Sequence, residues 1–290
     1  MKMGRYWIIL LSSEMAPKAM NLLQKLAVLT LAGFSLCSAA HPGIATRFEQ
    51  LDELIDRYPQ SQPLWLKRAS LFIQHGDLKS AHRDLQQAAQ LGDPVETAFQ
   101  MGLLHFKEGQ FKKSYDDFES YLKRAPGHAL SYLYRAKAAS VMGQYDLAIE
   151  NFEFYFSRSL NPHPGEYLAA ARLQVESSPD DYGPALLLID QAIGRLGLIP
   201  QLQRYATDLE IQRGNFTAAI ERWDSAELAL GSSPEWKFKA ARIYSQAGQF
   251  VRARQLILLL KEQLLELKPT PARQQLWQEI GVFERAWAQL

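Results

Sequence analysis

The chain has 290 residues, room for two domains or one elongated array. Its 32 Lys and Arg balance 31 Asp and Glu, a net charge of +1, so it has no excess of positive charge to displace counterions from a nucleic acid. One Cys excludes a disulfide scaffold and a cysteine-ligated zinc or iron–sulfur site, and 47% apolar with 22% charged residues is the composition of a folded chain.

Residues 1–40 stand apart. Lys2, Arg5, Lys18 and Lys25 face one acid, Glu14, and Leu26 to Cys37 is a run of apolar and small residues. Ser38 and Ala40 then occupy the minus-three and minus-one positions before His41. A basic stretch, a short apolar core and small residues at a cleavage point make the pattern of a secretory signal peptide. The expectation is export across an inner membrane to the periplasm, with cleavage before His41. Met20 is an alternative start, because Met20 to Ala40 already holds all three parts. A membrane span wants ~20 apolar residues, more than this run supplies. The alternative fate is a lipoprotein anchored through Cys37, against which Leu36 stands where a small residue is wanted. Without residues 1–40 the chain keeps 28 bases and 30 acids, no Cys and no membrane span.

Residues 41–61 form the next expected element, a lone helix over 46–58 that stops ahead of Pro59. From residue 62 the chain repeats itself. Gly76-Asp-Leu78, Gly109-Gln-Phe111, Gly143-Gln-Tyr145, Gly214-Asn-Phe216 and Gly248-Gln-Phe250 recur at gaps of 33, 34, 71 and 34, the third being one degenerate and one regular unit. Five residues after each glycine comes a small residue (Ala81, Ser114, Ala148, Ala219, Ala253), and nine after it a large apolar one (Leu85, Phe118, Phe152, Trp223, Ile257). The stretch before each glycine has helical apolar spacing, as in Trp65, Ala69 and Phe72. The glycine ends that helix, a second helix follows, and a proline (Pro94, Pro126, Pro162, Pro234 or Pro269) resets the chain. Small residues at Ala69, Gly102, Ala136 and Ala241 face the small residues of the second helix and let the pair approach closely.

With Trp65, Ala69, Phe72, Gly76, Ala81, Leu85 and Ala88 in register, this 34-residue unit resembles the tetratricopeptide repeat. The resemblance implies an all-α, right-handed α-α superhelical solenoid. Six units over 62–268 begin at Gln62, Val95, Ala129, Glu166, Pro200 and Pro234, and helices in 41–61 and 269–290 cap the ends. The last of these caps carries Leu276, Ile280, Phe283 and Trp287 at helical spacing. The fourth unit departs from the pattern: Asp180 takes the place of the turn glycine, Leu173 that of the small residue, and Pro184 opens the second helix. A longer turn or a wider helix–helix angle is expected there.

No HExxH, phosphate loop or GxSxG elbow occurs. The turn at Gly76 separates His75 from His82, and Asp116-Asp117 and Asp180-Asp181 read as acids at helix starts, favourable to the helix dipole. Asn215-Phe216-Thr217 has the form of a glycosylation sequon but overlaps a repeat turn. No catalytic residue, metal or cofactor is expected; an enzyme is the least favoured reading.

The resemblance further implies that positions two, five, nine and twelve of each first helix line a concave groove. Those positions give Leu66, Phe99, Leu103, Phe106, Leu130 and Leu133 in the first three units, then Lys137, Gln174, Arg204, Asp208 and Arg242. The early ones make an apolar half-groove, unlike the Lys, Arg and Asn carboxylate clamp of the chaperone-binding members. Phe99 and Phe106 also read as packing between neighbouring first helices. The function implied is a non-enzymatic scaffold of the cell envelope that binds a protein or peptide segment. The alternative is an envelope polysaccharide-export or assembly factor, with Tyr132, Tyr134, Tyr155 and Tyr167 as stacking surfaces, although Tyr155 also reads as filling the second-helix core. Nothing in the sequence marks an oligomeric state.

Overall fold

A computed structural model describes residues 42–227 and 233–287, so the expected signal segment and Cys37 lie outside the described residues. Among the described residues there are fourteen helices and no strand. A first helix, α1 (Pro42–Arg57), precedes six helix pairs. These are α2 (Gln62–His75) with α3 (Leu78–Leu91), α4 (Pro94–Lys107) with α5 (Phe111–Arg124), and α6 (Ala129–Val141) with α7 (Tyr145–Arg158). Then come α8 (Pro164–Ser177) with α9 (Gly183–Leu196), α10 (Pro200–Gln212) with α11 (Phe216–Ser225), and α12 (Pro234–Gln246) with α13 (Phe250–Glu266). A final helix, α14 (Pro271–Trp287), follows. Each helix packs chiefly on its sequence neighbours, the mark of a solenoid.

The turn chemistry is the same in five pairs. Gly76 has φ of 81°, a left-handed conformation that costs glycine little, and the N–H of Asp77 donates back to the carbonyl of Phe72 at 3.0 Å. Gly109, Gly143, Gly214 and Gly248 repeat this closure. Asp77 and Asn215 then cap the next helix through the N–H of Ser80 and Ala218, at 3.1 and 3.2 Å. Asn215, the sequon residue, is thus used by the turn.

Small residues set the approach of each pair. Ala69 and Ala81, Ala136 and Ala148, and Ala241 and Ala253 are all fully buried. At Gly102 a Cβ would lie 2.8 Å from the Phe118 ring, and the hydroxyl of Ser114 donates to the Gly102 carbonyl at 2.8 Å. Phe118, Phe152 and Ile257 fill the space behind, each at most 2% exposed. Burial of one such side chain stabilises the fold by ~1.5–3 kcal/mol.

The fourth unit keeps this plan with a longer turn, one of the two outcomes expected of it. Ala171 and Ala185 are its fully buried small pair, fourteen residues apart, where Ala69 and Ala81 are twelve apart. Five residues, 178–182, join α8 to α9, against two or three in the other pairs. Asp181 caps the new start by accepting the N–H of Gly183 at 2.9 Å. The unit therefore begins at Pro164 and not at Glu166. Leu173 does not replace the small residue, because Ala171 holds that place.

Polar side chains tie the pairs together. Arg68 grips Asp84 through Nε and Nη2 at 2.7 and 2.8 Å and reaches Asp52 of α1 at 2.7 Å. In the fifth pair the carboxylate of Glu210, 2% exposed, accepts from Arg213 at 2.5 Å and Arg222 at 3.2 Å, and Arg222 also holds Asp190 of the pair before. Asp116 and Asp117 lie one turn inside α5 and not at its start. Asp116 pairs with Lys112 and Asp117 with His105, each at 2.5 Å, and burial raises the Asp117 carboxyl above the usual range.

Candidate functional site

Positions two, five, nine and twelve of the first helices α2, α4, α6, α8, α10 and α12 are those that the tetratricopeptide resemblance places on a concave wall. Ion pairs stitch neighbouring first helices along this wall. Lys137 of α6 meets Glu166 of α8 at 2.9 Å, and Lys239 of α12 meets Asp208 of α10. These contacts use two of the expected groove charges, Lys137 and Asp208, to hold the wall itself.

The apolar half of the wall is largely self-filled. Leu66 and Leu103 are half-buried against a core of Ala69, Ile73, Ala81, Leu85 and Leu104. Phe99 sits edge-on to His128 at 4.7 Å and packs against Phe118 and Tyr121 at 5.7 and 5.5 Å. Phe106 contacts Phe111 and Tyr134 at 5.4 and 5.5 Å. The two phenylalanines therefore bridge the second and third units, as aromatic pairs at such spacing do. The half-buried setting of His128 lowers its pKa. Leu133, expected in the groove, is instead buried, 6% exposed, as part of the core cluster that runs from the third unit into the fourth. Leu130, 47% exposed, is the one apolar groove residue of this half that stays open.

The shifted start of the fourth unit relocates another expected residue. Counting from Pro164, position nine is Arg172, and Gln174 falls at position eleven, which in other units faces the second helices (His105 to Asp117, Glu210 to Arg222). Gln174 accordingly lines a cavity of ≈ 540 Å³ with Phe156, Tyr167, Leu187 and Arg195 of α7, α8 and α9, and its buried Oε1 has no hydrogen-bond partner. It is not a groove residue. Arg172 takes its place, exposed, with its guanidinium 5.6 Å from the centre of the Tyr205 ring. Burial raises the Tyr205 hydroxyl above its ordinary range, and Arg172 opposes that rise. Pro164, set at the helix start like Pro200 and Pro234, was the sequence signal for this register.

Arg204 and Arg242 lie where expected, exposed at positions five and nine of the fifth and sixth units. Among the described residues neither they nor Arg172 has an ion-pair partner. Arg204 borders a cavity of ≈ 160 Å³ with Gln201, Glu235 and Lys239, floored by Trp223 and Trp236, whose rings stack 3.4 Å apart. The hydroxyl of Ser233 holds the Glu235 carboxyl below the usual range. Arg242 borders a wider hollow of ≈ 590 Å³ between α12 and α14, beside Phe238, Val282 and Phe283. The later wall thus carries three unpaired guanidinium groups, one per unit.

Tyr132, Tyr155 and Tyr167 are buried and Tyr134 is half-buried between Phe106 and Phe118, so they offer no open stacking face. Among the described residues no cluster of His, Cys, Asp and Glu could hold a metal ion, and no helix is long and apolar enough to cross a membrane.

No family model matches the chain. The chain is 24% identical over 184 residues to DnaJ homolog subfamily C member 3 of Gallus gallus, which is 63% of this chain and 32% of that protein. It is 37% identical over 91 residues to tetratricopeptide repeat protein 16 of Macaca fascicularis, 29% of this chain and 10% of that one. The chain thus spans a third or less of these curated relatives. A tetratricopeptide repeat protein from Parabacteroides merdae superposes with a TM-score of 0.50 at 16% identity, covering 78% of this chain and 88% of that one. PilW, described as a widely conserved type IV pilus biogenesis factor, superposes with a TM-score of 0.53 at 17% identity, covering 75% and 96%.

Proposed function

We propose that this chain, a tetratricopeptide-repeat solenoid by repeat register and fold, is a non-catalytic scaffold of the cell envelope that holds an acidic protein segment on the concave wall of its last three units. One observation carries the reading: Arg172, Arg204 and Arg242 stand exposed on successive first helices with no carboxylate partner among the described residues. Guanidinium groups take carboxylates in planar, two-point hydrogen bonds. Unit-spaced cations suit an extended segment that meets several repeats in turn. The scaffold reading also draws on the binding surfaces that repeat solenoids provide, and the envelope reading on the signal-peptide pattern of residues 1–40.

Fluorescence anisotropy with a short labelled Asp/Glu-rich peptide, beside a Lys-rich control, tests this. The acidic peptide binds, the basic one does not, and binding weakens as salt rises through the screening range. In the triple variant Arg172→Ala/Arg204→Ala/Arg242→Ala the affinity falls at least ~10-fold, with on-rate the main casualty. Equal binding of both peptides, or full binding by the triple variant, overturns the assignment.

A further inference from the structure

The outer face of α13 differs from the equivalent face of the preceding second helices. Two residues before each buried small residue stand Lys79, Lys112, Asp146, Gly183 and Thr217 in units one to five; the sixth has Val251. Five residues after it stand Gln86, Glu119, Glu153, Asp190 and Asp224; the sixth has Leu258. The sixth helix also runs 17 residues, where the earlier second helices have 14 or fewer, and its extra turn brings in Leu265. Val251, Leu258 and Leu265 are 75%, 53% and 75% exposed. At seven-residue spacing they form one stripe along the helix.

The charges beside that stripe are ordered. Arg254 lies toward the helix start and Glu262 toward its end, both exposed and neither in an ion pair among the described residues. We infer that this face is a self-complementary seam for a second copy of the chain, with the two α13 helices antiparallel about a two-fold axis at Leu258. That register sets Leu258 against its own mate, Val251 against Leu265 of the second copy, and Arg254 against Glu262 of the second copy. Apolar residues meet along the whole stripe and opposite charges meet at both flanks. A parallel pairing would bring Arg254 to Arg254 and Glu262 to Glu262, which repels. The two-fold operator is the commonest way that a single surface pairs with itself. The seam lies on a second helix, away from the concave wall, and stands independently of the acidic-segment reading.

Sedimentation velocity of the purified full chain over a dilution series tests the seam, with far-ultraviolet circular dichroism to confirm that each variant is folded. The wild type is a dimer that dissociates on dilution. Leu258→Asp, which opposes two carboxylates at the axis, raises the dimer dissociation constant at least ~100-fold with helicity unchanged. Arg254→Glu and Glu262→Arg each weaken the dimer, and the double variant carrying both restores it, because the swapped charges face each other again. A protein that stays monomeric at its highest soluble concentration overturns the proposal and leaves the stripe to a different partner. A dimer that survives Leu258→Asp places the interface elsewhere and also overturns it. Failure of the double charge swap to recover dimerisation overturns the antiparallel register.

Discussion

At position five of the first helix the second unit carries Phe99 and the fifth carries Arg204; at position nine they carry Leu103 and Asp208. The internal tie between first and second helix also moves its carboxylate from the second helix to the first. In the second unit His105 meets Asp117, and in the fifth Glu210 meets Arg222, at the same two positions. The same turn and the same small-residue contact support both. The backbone plan is therefore set by the turn glycine and the small residues, and the wall positions are free to take up another task. In the second unit they are spent on joining the third unit through a mosaic of aromatic rings. In the fifth, Leu202, Ala206, Thr207 and Leu209 on the opposite side of α10 do the packing, all at most 1% exposed, and the wall is left to charge.

That contrast is breakable. The largest expected effect is Phe118→Ala, which removes a fully buried ring shared by Phe99 and Tyr134 and should cost about 3–5 kcal/mol, read from a urea midpoint. Next is Gly102→Ala. Its Cβ would come 2.8 Å from the Phe118 ring, so the second unit should lose about 1–3 kcal/mol. The fifth unit already accepts Thr207 at the equivalent position, and Thr207→Ala should be milder than Gly102→Ala in the same assay. A smaller effect is titratable. Burial holds His128 below its ordinary 6.5, so the unfolded chain binds this proton first as pH falls. Its contribution is complete above about pH 6.5 and is lost as pH drops through the lower folded value. His128→Gln should flatten the stability decline that sets in as pH falls below about 6.5. The sixth unit has Ser233 at the matching place and predicts no such dependence. The smallest effect on stability belongs to the wall arginines: Arg204→Ala and Arg242→Ala should each stay within about 0.5 kcal/mol of wild type.

Much of this arrangement was legible in the sequence, because five of the six turns combine a glycine at positive φ with a small contact twelve residues across it. Gly76 with Ala69 and Ala81 announces both, and four further units repeat them in register. The fourth unit starts two residues ahead of its expected register for a physical reason. Its turn is closed without glycine, through Ser178 and the Asp181 cap, and the longer loop separates Ala171 from Ala185. A register that sets Asp180 in the glycine place and Leu173 in the small-residue place leaves Arg172 out of the wall and puts Gln174 in. The fate of Leu133 was harder to read, since its burial comes from a core cluster assembled from residues of several units. Phe99 and Phe106 were readable either way, and the rings opposite them, His128 and Tyr134, lie a unit further along the chain.

The most direct measurement is one anisotropy titration of the labelled acidic peptide against two folded variants, with the melting temperature of each recorded on the same samples. Phe99→Ala/Phe106→Ala should melt lower and keep the peptide, because its rings join units and leave the later wall intact. Arg172→Ala/Arg204→Ala/Arg242→Ala should melt with the wild type and lose the peptide. The opposite pattern, with binding lost in the phenylalanine variant and kept in the arginine variant, would place recognition in the apolar half and contradict the division of labour between the two halves.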